Sequence, residues 1–179
     1  SNSFTRKFQF IFLMIYSGKH AVPATVPPRA LAAPPAVPKY SVLPNVPDSH
    51  KFKNNAFLPG NSSAFAKRVQ HEVKVLKEGL PDGIFVKGFE DRMDLYSAMI
   101  YGPQGTPYEG GVYFFDIQLP GDYPQFPPLV HFISYSREKL NPNLYPCGKV
   151  CLSLLGTWAG TGSEKWTSDS TLLQLLVSI

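Results

Sequence analysis

The chain has 179 residues, the length of one ordinary domain with an appendage. Hydrophobic residues make up 44% and charged residues 17%, which are values typical of a globular protein. No apolar run reaches the roughly 18 residues that a membrane-spanning helix needs, and two cysteines are too few for a disulfide scaffold. These features argue against an integral channel and against a small disulfide-stapled protein.

The positive charge lies in the N-terminal third of the chain. The formal net charge is +4, but residues 1–60 hold seven Lys and Arg against one acid, whereas residues 61–179 hold ten against twelve acids. A protein that binds phosphate backbones concentrates basic residues on its folded domain. We therefore expect no nucleic-acid partner and no membrane partner for the folded part.

The first 20 residues contain an apolar run of nine that starts at Phe8 and follows two basic residues. This order is shared with secretory signal peptides, but the chain begins with Ser1 and not with Met. Secretion, a piece of a longer protein, a gene-model artefact and an edge strand remain alternatives for residues 1–20. The residues do not choose between them.

Residues 21–60 hold nine of the eighteen prolines. Proline removes backbone donors and fixes φ, so this density predicts a disordered linker without helix or sheet. Two Pro-x-x-Pro patterns, at Pro35 and at Pro44, match the minimal polyproline ligand, but such matches arise by chance in a proline-rich segment.

From about residue 64 the pattern becomes periodic. Apolar residues at 65, 69, 73 and 76 predict an amphipathic helix that ends at Gly79-Leu80-Pro81. An antiparallel meander of four strands follows, predicted at residues 84–87, 95–101, 112–119 and 129–133. In the third of these strands Tyr113, Phe115 and Ile117 alternate with Phe114, Asp116 and Gln118, which predicts a half-buried strand. The fold class is therefore α+β.

A long irregular stretch from 134 to 167 holds both cysteines and both tryptophans. Long loops inside a compact domain are usually functional. After it, an apolar helix is predicted to begin near residue 170, with Asp169 or Ser170 as its N-cap.

Cys151 is the best nucleophile candidate. Asn143 precedes it by eight residues and Gly148 lies between them, so the chain can fold back and bring an amide near the sulfur. An amide donor beside a thiol suits acyl transfer, in which an oxyanion must be stabilised. A buried structural cysteine beside a turn-forming Asn is an equally good interpretation of these residues alone.

The other His and Cys residues of the chain limit the reactions that Cys151 could carry out. The four histidines are scattered along the chain, which argues against a Cys–His protease, and no second Cys pair completes a zinc site. A thiol without a dedicated base indicates an activated partner such as a thioester. We expect no metal.

Residues 64–179 resemble the catalytic core of the ubiquitin-conjugating enzymes. Four features carry the resemblance in the right order: Pro120-Gly-Asp-Tyr-Pro-Gln-Phe-Pro-Pro128, Asn141-Pro-Asn143 in place of the usual His-Pro-Asn, Gly148-x-x-Cys151-Leu, and Trp166. The resemblance implies a core with an N-terminal helix, a four-stranded antiparallel meander, a long active-site loop and a central helix. Two further C-terminal helices, usual in the family, are missing.

The resemblance is closer to the large hybrid conjugating enzyme/ligases and their plant relatives. The strings Gly-Lys-Val-Cys151, Leu-Leu-Gly-Thr-Trp158 and Glu-Lys-Trp166 carry it. The apoptosis-inhibitor relative with a conjugating domain shares part of this pattern.

The family's roles carry over to matching positions. Cys151 would accept ubiquitin as a thioester, and Asn143 would support the loop or the oxyanion. Asn141 replaces a mainly structural His. Ser153 stands where common members have an acid that steers the attacking lysine, so that charge must come from elsewhere. Trp166 stands before the central helix, as in the family.

The implied partners are ubiquitin, the activating enzyme and a substrate lysine. The activating enzyme consumes the ATP, so no cofactor is expected here, and the location is cytoplasmic or nuclear. Gln125 and Ser168 depart from the positions that usually dock RING ligases, which leaves the ligase partner open. The first helix would meet the activating enzyme through its basic residues, or these form a solvated face: Lys67, Arg68, Lys74 and Lys77.

Several alternatives remain at this point. Cys147 is interpreted as a bystander because its spacing to Asn143 does not match, and Trp158 is expected to cover the loop.

An inactive relative that binds ubiquitin or a ligase is the rival function. We also expect the chain to be a marginally stable fragment, because the leucines of the last helix would leave an apolar surface.

Overall fold

A computed structural model describes residues 37–139 and 141–179. The predictions for residues 1–20 and 21–36 lie outside these residues. Residues 39–179 form one compact unit, and the architecture below is that of this unit. Within the described ranges, no helix has both the length and the apolar character needed to cross a bilayer.

One five-stranded sheet forms the centre of this unit, with its strands in chain order. The predicted antiparallel meander is confirmed as β2 to β5, and the α+β class with it. The strands are β1 (Tyr40–Leu43), β2 (Ile84–Phe89), β3 (Leu95–Tyr101), β4 (Val112–Gln118) and β5 (Leu129–Ile133).

The first strand corrects two predictions: the four-stranded sheet and, for the described residues 37–60, a linker without helix or sheet. β1 pairs in parallel with β2, with Tyr40 opposite Val86 and Leu43 opposite Phe89. The sheet is therefore mixed. Prolines at 38 and 44 flank the strand without interrupting it, and an edge strand tolerates prolines at its ends. The prediction used the average proline content of forty residues, and this average does not show the short run without proline that forms β1.

The predicted first helix is confirmed as α1, Ser62–Gly79. Asn61 caps it, since its side-chain oxygen accepts a hydrogen bond of 3.0 Å from the Ala64 N–H. The buried face includes Phe65, Val69 and Leu76, which pack against the sheet. Pro81 follows the last turn and cannot continue the helix.

The last helix, α2 (Leu172–Ser178), begins one residue later than the predicted caps allow. Thr171 is the N-cap: its hydroxyl accepts from the Gln174 N–H, and the Gln174 side chain accepts from the Thr171 N–H. Ser170 is instead buried, and its hydroxyl accepts a hydrogen bond from the Thr167 N–H. The predicted cap, Asp169 or Ser170, is therefore wrong.

The apolar surface expected on α2 is mostly covered. Leu172, Leu175 and Leu176 are buried in the core with α1 and the sheet. Leu173 is partly buried, and Val177 is 61% exposed. The helix thus contributes apolar area to the core.

Glu72, a fully buried carboxylate on α1, joins the two helices. Its Oε2 accepts a hydrogen bond of 2.9 Å from the Leu172 N–H at the start of α2. Its Oε1 accepts one of 2.6 Å from the Tyr123 hydroxyl and pairs with Arg68 at 2.8 Å. Burial, followed by the Glu72 charge, raises the pKa of Tyr123, so this hydroxyl remains a donor.

Residues 46–55, called here the outer segment, cover the sheet face opposite to the helices. The prediction that β4 is half-buried is wrong. Phe114, Asp116 and Gln118, on this second face, are buried as well as the core-facing residues. Val46 and Phe52 pack with Phe89 and Leu95 in a second apolar cluster.

Buried polar groups fix the outer segment. Asp116 accepts from the Lys51 N–H at 2.9 Å and from the Ser97 hydroxyl at 3.1 Å. His50 Nε2 lies 3.0 Å from the Tyr96 carbonyl oxygen. Arg92 donates to the Lys53 carbonyl at 2.9 Å. The outer segment therefore covers the second face of the sheet over β3 and β4.

Candidate active site

The predicted nucleophile lies on a short hairpin, residues 143–151, called here the cysteine hairpin. The Cys151 N–H donates to the Asn143 carbonyl at 2.8 Å, and the Tyr145 N–H donates to the Lys149 carbonyl at 3.0 Å. Asn143 is thus opposite Cys151, and Cys147 lies at the turn. This placement keeps the two thiols at opposite ends of the hairpin.

The side chain of Asn143 adds a second link across the hairpin. Its Nδ2–H donates to the Cys151 carbonyl oxygen at 2.8 Å. The Asn143 N–H in turn donates to Asn141 Oδ1 at 2.7 Å. The structure therefore brings Asn141, Asn143 and Cys151 together, with Asn141 holding the asparagine that holds the cysteine backbone.

Gly148 allows the hairpin to sit against the sheet. Its φ of 92° lies in the left-handed region, and a Cβ at this position would overlap the His131 ring. The Phe132 N–H donates to the Gly148 carbonyl at 2.8 Å, which ties the turn to β5. Sequence reasoning treated His131 as an isolated residue, and no sequence signal places it below the turn.

The thiols differ sharply in exposure. Cys151 is only 2% exposed, and its hairpin neighbours Leu144 and Val150 are buried too. Cys147 is exposed. The cysteine selected by spacing is therefore the less accessible one, and a macromolecular thioester can reach it only if the covering residues move.

The chain after Cys151 is held by Thr157, a residue that sequence reasoning missed. Its hydroxyl donates to the Val150 carbonyl at 2.7 Å and accepts from the Leu152 N–H at 2.9 Å. Ser153 opens a short 3-10 turn, Ser153–Leu155, and its hydroxyl donates to the Ala159 carbonyl at 3.1 Å. The loop is thus folded back beside the cysteine.

The two tryptophans of this loop have different environments. Trp166 donates its indole N–H to the Pro124 carbonyl at 2.8 Å and packs 5.7 Å from the Tyr123 ring. It joins the loop to the proline-rich segment. Trp158 is 59% exposed, so the expectation that it covers the loop is wrong.

A cavity of about 580 Å³ opens beside the residues that follow Cys151. Leu152 and Ser153 line it together with Glu164, Lys165 and Asp169. Over residues 37–139 and 141–179, no group of three or more His, Cys, Asp or Glu side chains could hold a metal ion.

The basic face of α1 is smaller than the sequence indicated. Lys67, Lys74 and Lys77 are exposed. The Arg68 side chain is 17% exposed, pairs with Glu72 and donates to the Ser170 carbonyl at 2.5 Å. Arg68 therefore has a structural role between the helices, and three lysines remain for a partner.

Comparison with known proteins gives consistent matches. The family model described as ubiquitin-conjugating enzyme matches residues 68–179. The chain is 49% identical over 142 residues to the probable ubiquitin-conjugating enzyme E2 25 of Arabidopsis thaliana, covering 79% of this chain and 23% of that protein. It is 44% identical over 126 residues to the human dual E2 ubiquitin-conjugating enzyme/E3 ubiquitin-protein ligase BIRC6, covering 66% of this chain and 3% of that one.

Among solved structures, human ubiquitin-conjugating enzyme E2 G1 superposes with a TM-score of 0.52 at 27% identity. The match covers 69% of this chain and 93% of that one. By contrast, the chain spans less than a quarter of the length of the Arabidopsis E2 25 protein.

Proposed function

The chain belongs to the ubiquitin-conjugating enzymes, and from this premise we propose that Cys151 is the residue that accepts ubiquitin as a thioester. The observation that carries the proposal is the cysteine hairpin. It sets Asn143 across from Cys151, with hydrogen bonds of 2.8 Å in both the main chain and the side chain. Cys147 lies at the exposed turn without this asparagine opposite it.

The reaction has two transfers. The Cys151 thiolate attacks the thioester carbonyl of ubiquitin held by the activating enzyme, and that enzyme's thiol leaves. A substrate lysine then attacks the new thioester carbonyl, the carbon–sulfur bond breaks, and an isopeptide bond results. ATP is consumed upstream, so the proposal requires no cofactor on this chain.

Asn143 supports this chemistry by holding the cysteine loop. One hydrogen of its amide is engaged with the Cys151 carbonyl. The second hydrogen of the same amide is available to the oxyanion that forms when lysine attacks. A positioned amide donor is worth about 10²- to 10³-fold in rate in such steps.

The partners follow from the family: ubiquitin, an activating enzyme and protein lysines. We place the activating enzyme at the exposed lysines of α1. Gln125 and Ser168 are exposed, and neither is the residue usual for RING docking. This favours a hybrid conjugating enzyme/ligase, the combination of activities that the name of the human relative gives for that protein. A cytoplasmic or nuclear location agrees with two free thiols.

The test is a thioester assay on the 179-residue chain. The chain is incubated with activating enzyme, ubiquitin and ATP and run on non-reducing gels, beside Cys151→Ser and the matched control Cys147→Ser. We expect a reductant-sensitive band, one ubiquitin heavier, that Cys147→Ser keeps and Cys151→Ser loses.

Circular dichroism on the same samples shows whether each variant is folded. A folded wild-type chain without the band would contradict the proposal and favour a module that binds ubiquitin or a ligase without turnover. A band lost with Cys147→Ser instead would move the acceptor to the turn.

A further inference from the structure

The cavity lined by Leu152 and Ser153 also carries charged residues that the proposed thioester transfer does not use. Ser153 lies two residues after Cys151, which is at most about 7 Å along the chain. Ser153 shares the lining of the cavity with the acids Glu164 and Asp169, and Lys165 is the only cation among its described lining residues. An ammonium group in this cavity would therefore meet net negative charge beside Leu152 and Ser153, the two residues that follow the thioester cysteine.

Glu164 is held in place by the chain around it. It ends a short 3-10 turn, Gly162–Glu164, whose capping box pairs it with Thr161. Its Oε2 accepts a hydrogen bond of 2.9 Å from the Thr161 N–H. In the described part of the chain no cation pairs with Glu164, so its charge remains available.

Gly160 lies between Ser153 and Glu164. A Cβ built on Gly160 would be 2.5 Å from the Ser153 Cβ and 3.4 Å from Glu164 Oε2. The loop that carries Glu164 therefore folds directly against the serine near the cysteine. The Ser153 hydroxyl donates to the Ala159 carbonyl, and this hydrogen bond also holds the loop against Ser153.

The second transfer needs such a carboxylate. A free lysine side chain has a pKa of about 10.4, so at neutral pH the substrate amine arrives protonated and cannot attack. Ser153 carries no charge to orient it or to accept its proton. A carboxylate in hydrogen-bond reach can do both, and positioned acid–base groups contribute about 10²- to 10⁴-fold in rate.

We propose that Glu164 binds the ammonium group of the substrate lysine and takes its proton as the amine attacks the Cys151 thioester. The lysine nitrogen forms a bond to the carbonyl carbon, and the carbon–sulfur bond breaks. Of the two protons that the ammonium loses, one ends on the Cys151 thiol and one leaves through Glu164 to water. This inference rests on the proposed function, because it needs ubiquitin on Cys151.

Asp169 is the other acidic residue that lines the cavity. The positive charge of Lys165 offsets part of the negative charge of the two acids. Glu164 is assigned because the Thr161 N–H holds its carboxylate and because Glu164 and Ser153 both lie close to Gly160. No such anchor is found for Asp169 among the described residues. Asp169 adds to the negative potential of the cavity.

The experiment separates loading from discharge. The 179-residue chain and Glu164→Gln are loaded with ubiquitin, the loading is stopped, and discharge to free lysine is followed by non-reducing gels. Gln keeps an oxygen that can accept from the Thr161 N–H. We expect unchanged loading on Cys151 and a discharge rate to lysine at least about tenfold lower.

Two matched readouts distinguish proton transfer from a structural effect. Glu138→Gln makes the same change on an exposed acid outside the cavity and is expected to discharge like wild type. Hydroxylamine, a nucleophile that is already unprotonated at neutral pH, should discharge both proteins at equal rates. The defect of Glu164→Gln should also shrink as the pH rises towards the pKa of the lysine amine.

Each result decides between the ideas. Equal lysine discharge by wild type and Glu164→Gln would overturn the role of Glu164 while leaving Cys151 as the acceptor. Equal slowing with lysine and hydroxylamine would also overturn it, since the defect would then lie in the loop geometry. A wild-type chain that takes no ubiquitin on Cys151 would refute both proposals.

Discussion

Asn143 contacts Cys151 through two atoms, and this pairing sets the first prediction at the scale of single residues. Asn143→Ala removes the donor to the Cys151 carbonyl but keeps the main-chain pair. We expect the free energy of unfolding to fall by about 1–3 kcal/mol, as for an unpaired buried acceptor, and lysine discharge to slow. Urea denaturation and the discharge assay measure the two effects.

A stability loss with unchanged discharge would restrict Asn143 to loop support. The control is Asn45→Ala, which makes the same change at an exposed position outside the cysteine hairpin. It should leave both measurements near the wild-type values.

Gly148 gives a second prediction at this scale. Gly148→Ala places a side chain on a residue with a positive φ, which strains the backbone, and its Cβ also overlaps the His131 ring. Gly105→Ala is the matched control, because Gly105 has a φ of 74° but nothing within 4 Å of its added Cβ. Backbone strain of this kind costs about 1–3 kcal/mol. We expect thermal unfolding to show a clearly larger loss for Gly148→Ala, and equal losses would mean that the ring moves aside.

Sequence reasoning worked at this scale where partners are close along the chain. The eight-residue spacing and Gly148 predicted that Asn143 and Cys151 would meet, and they do. Thr157 and His131 were not predicted, since their contacts depend on how the loop and β5 pack in three dimensions. Nothing in the local sequence carries that information.

At the scale of elements, the joint between α1 and α2 depends on one buried charge. Glu72→Ala removes the acceptor of the Leu172 N–H and of the Tyr123 hydroxyl, and it removes the carboxylate that pairs with Arg68. Breaking a buried pair by removing one partner costs about 3–5 kcal/mol. We expect that loss in urea denaturation followed by circular dichroism.

Glu78→Ala is the control on the same helix, because Glu78 is exposed. It should stay within about 0.5 kcal/mol of wild type. Similar losses for the two variants would contradict a structural role for the Glu72 pair.

Helix and strand prediction succeeded where periodicity is long and failed at short or capped features. α1 and the four meander strands follow their patterns closely. β1 has only four residues and gains its stability by pairing with β2, a long-range contact. The cap of α2 moved to Thr171 because burial gave the Ser170 hydroxyl a different partner.

For the whole molecule, the outer segment determines how the sheet is enclosed. A chain that begins at Phe57 lacks β1 and the outer-segment partners of Asp116 and Gln118. We expect it to unfold at a much lower urea concentration than a chain that begins at Val37, which keeps both. Coincident transitions for the two chains would show that the outer segment adds no stability.

The enclosure also explains why a half-buried β4 was predicted wrongly. Asp116 and Gln118 read as solvent-facing residues, as alternation in an antiparallel sheet ordinarily indicates. In the structure they are the polar anchors for backbone from residues 46–55. Their burial depends on a segment that is distant along the chain, so the local sequence pattern could not predict it.

The burial of Cys151 makes its sulfur a reporter of loop opening. Under native conditions iodoacetamide should alkylate the exposed Cys147 quickly and Cys151 slowly, and mass spectrometry can follow both rates in one sample. Their ratio would measure the free energy that separates the closed loop from the state that admits a reagent. The same shielding should spare the acceptor thiol from peroxide, so that oxidative damage falls first on the cysteine that conjugation does not use.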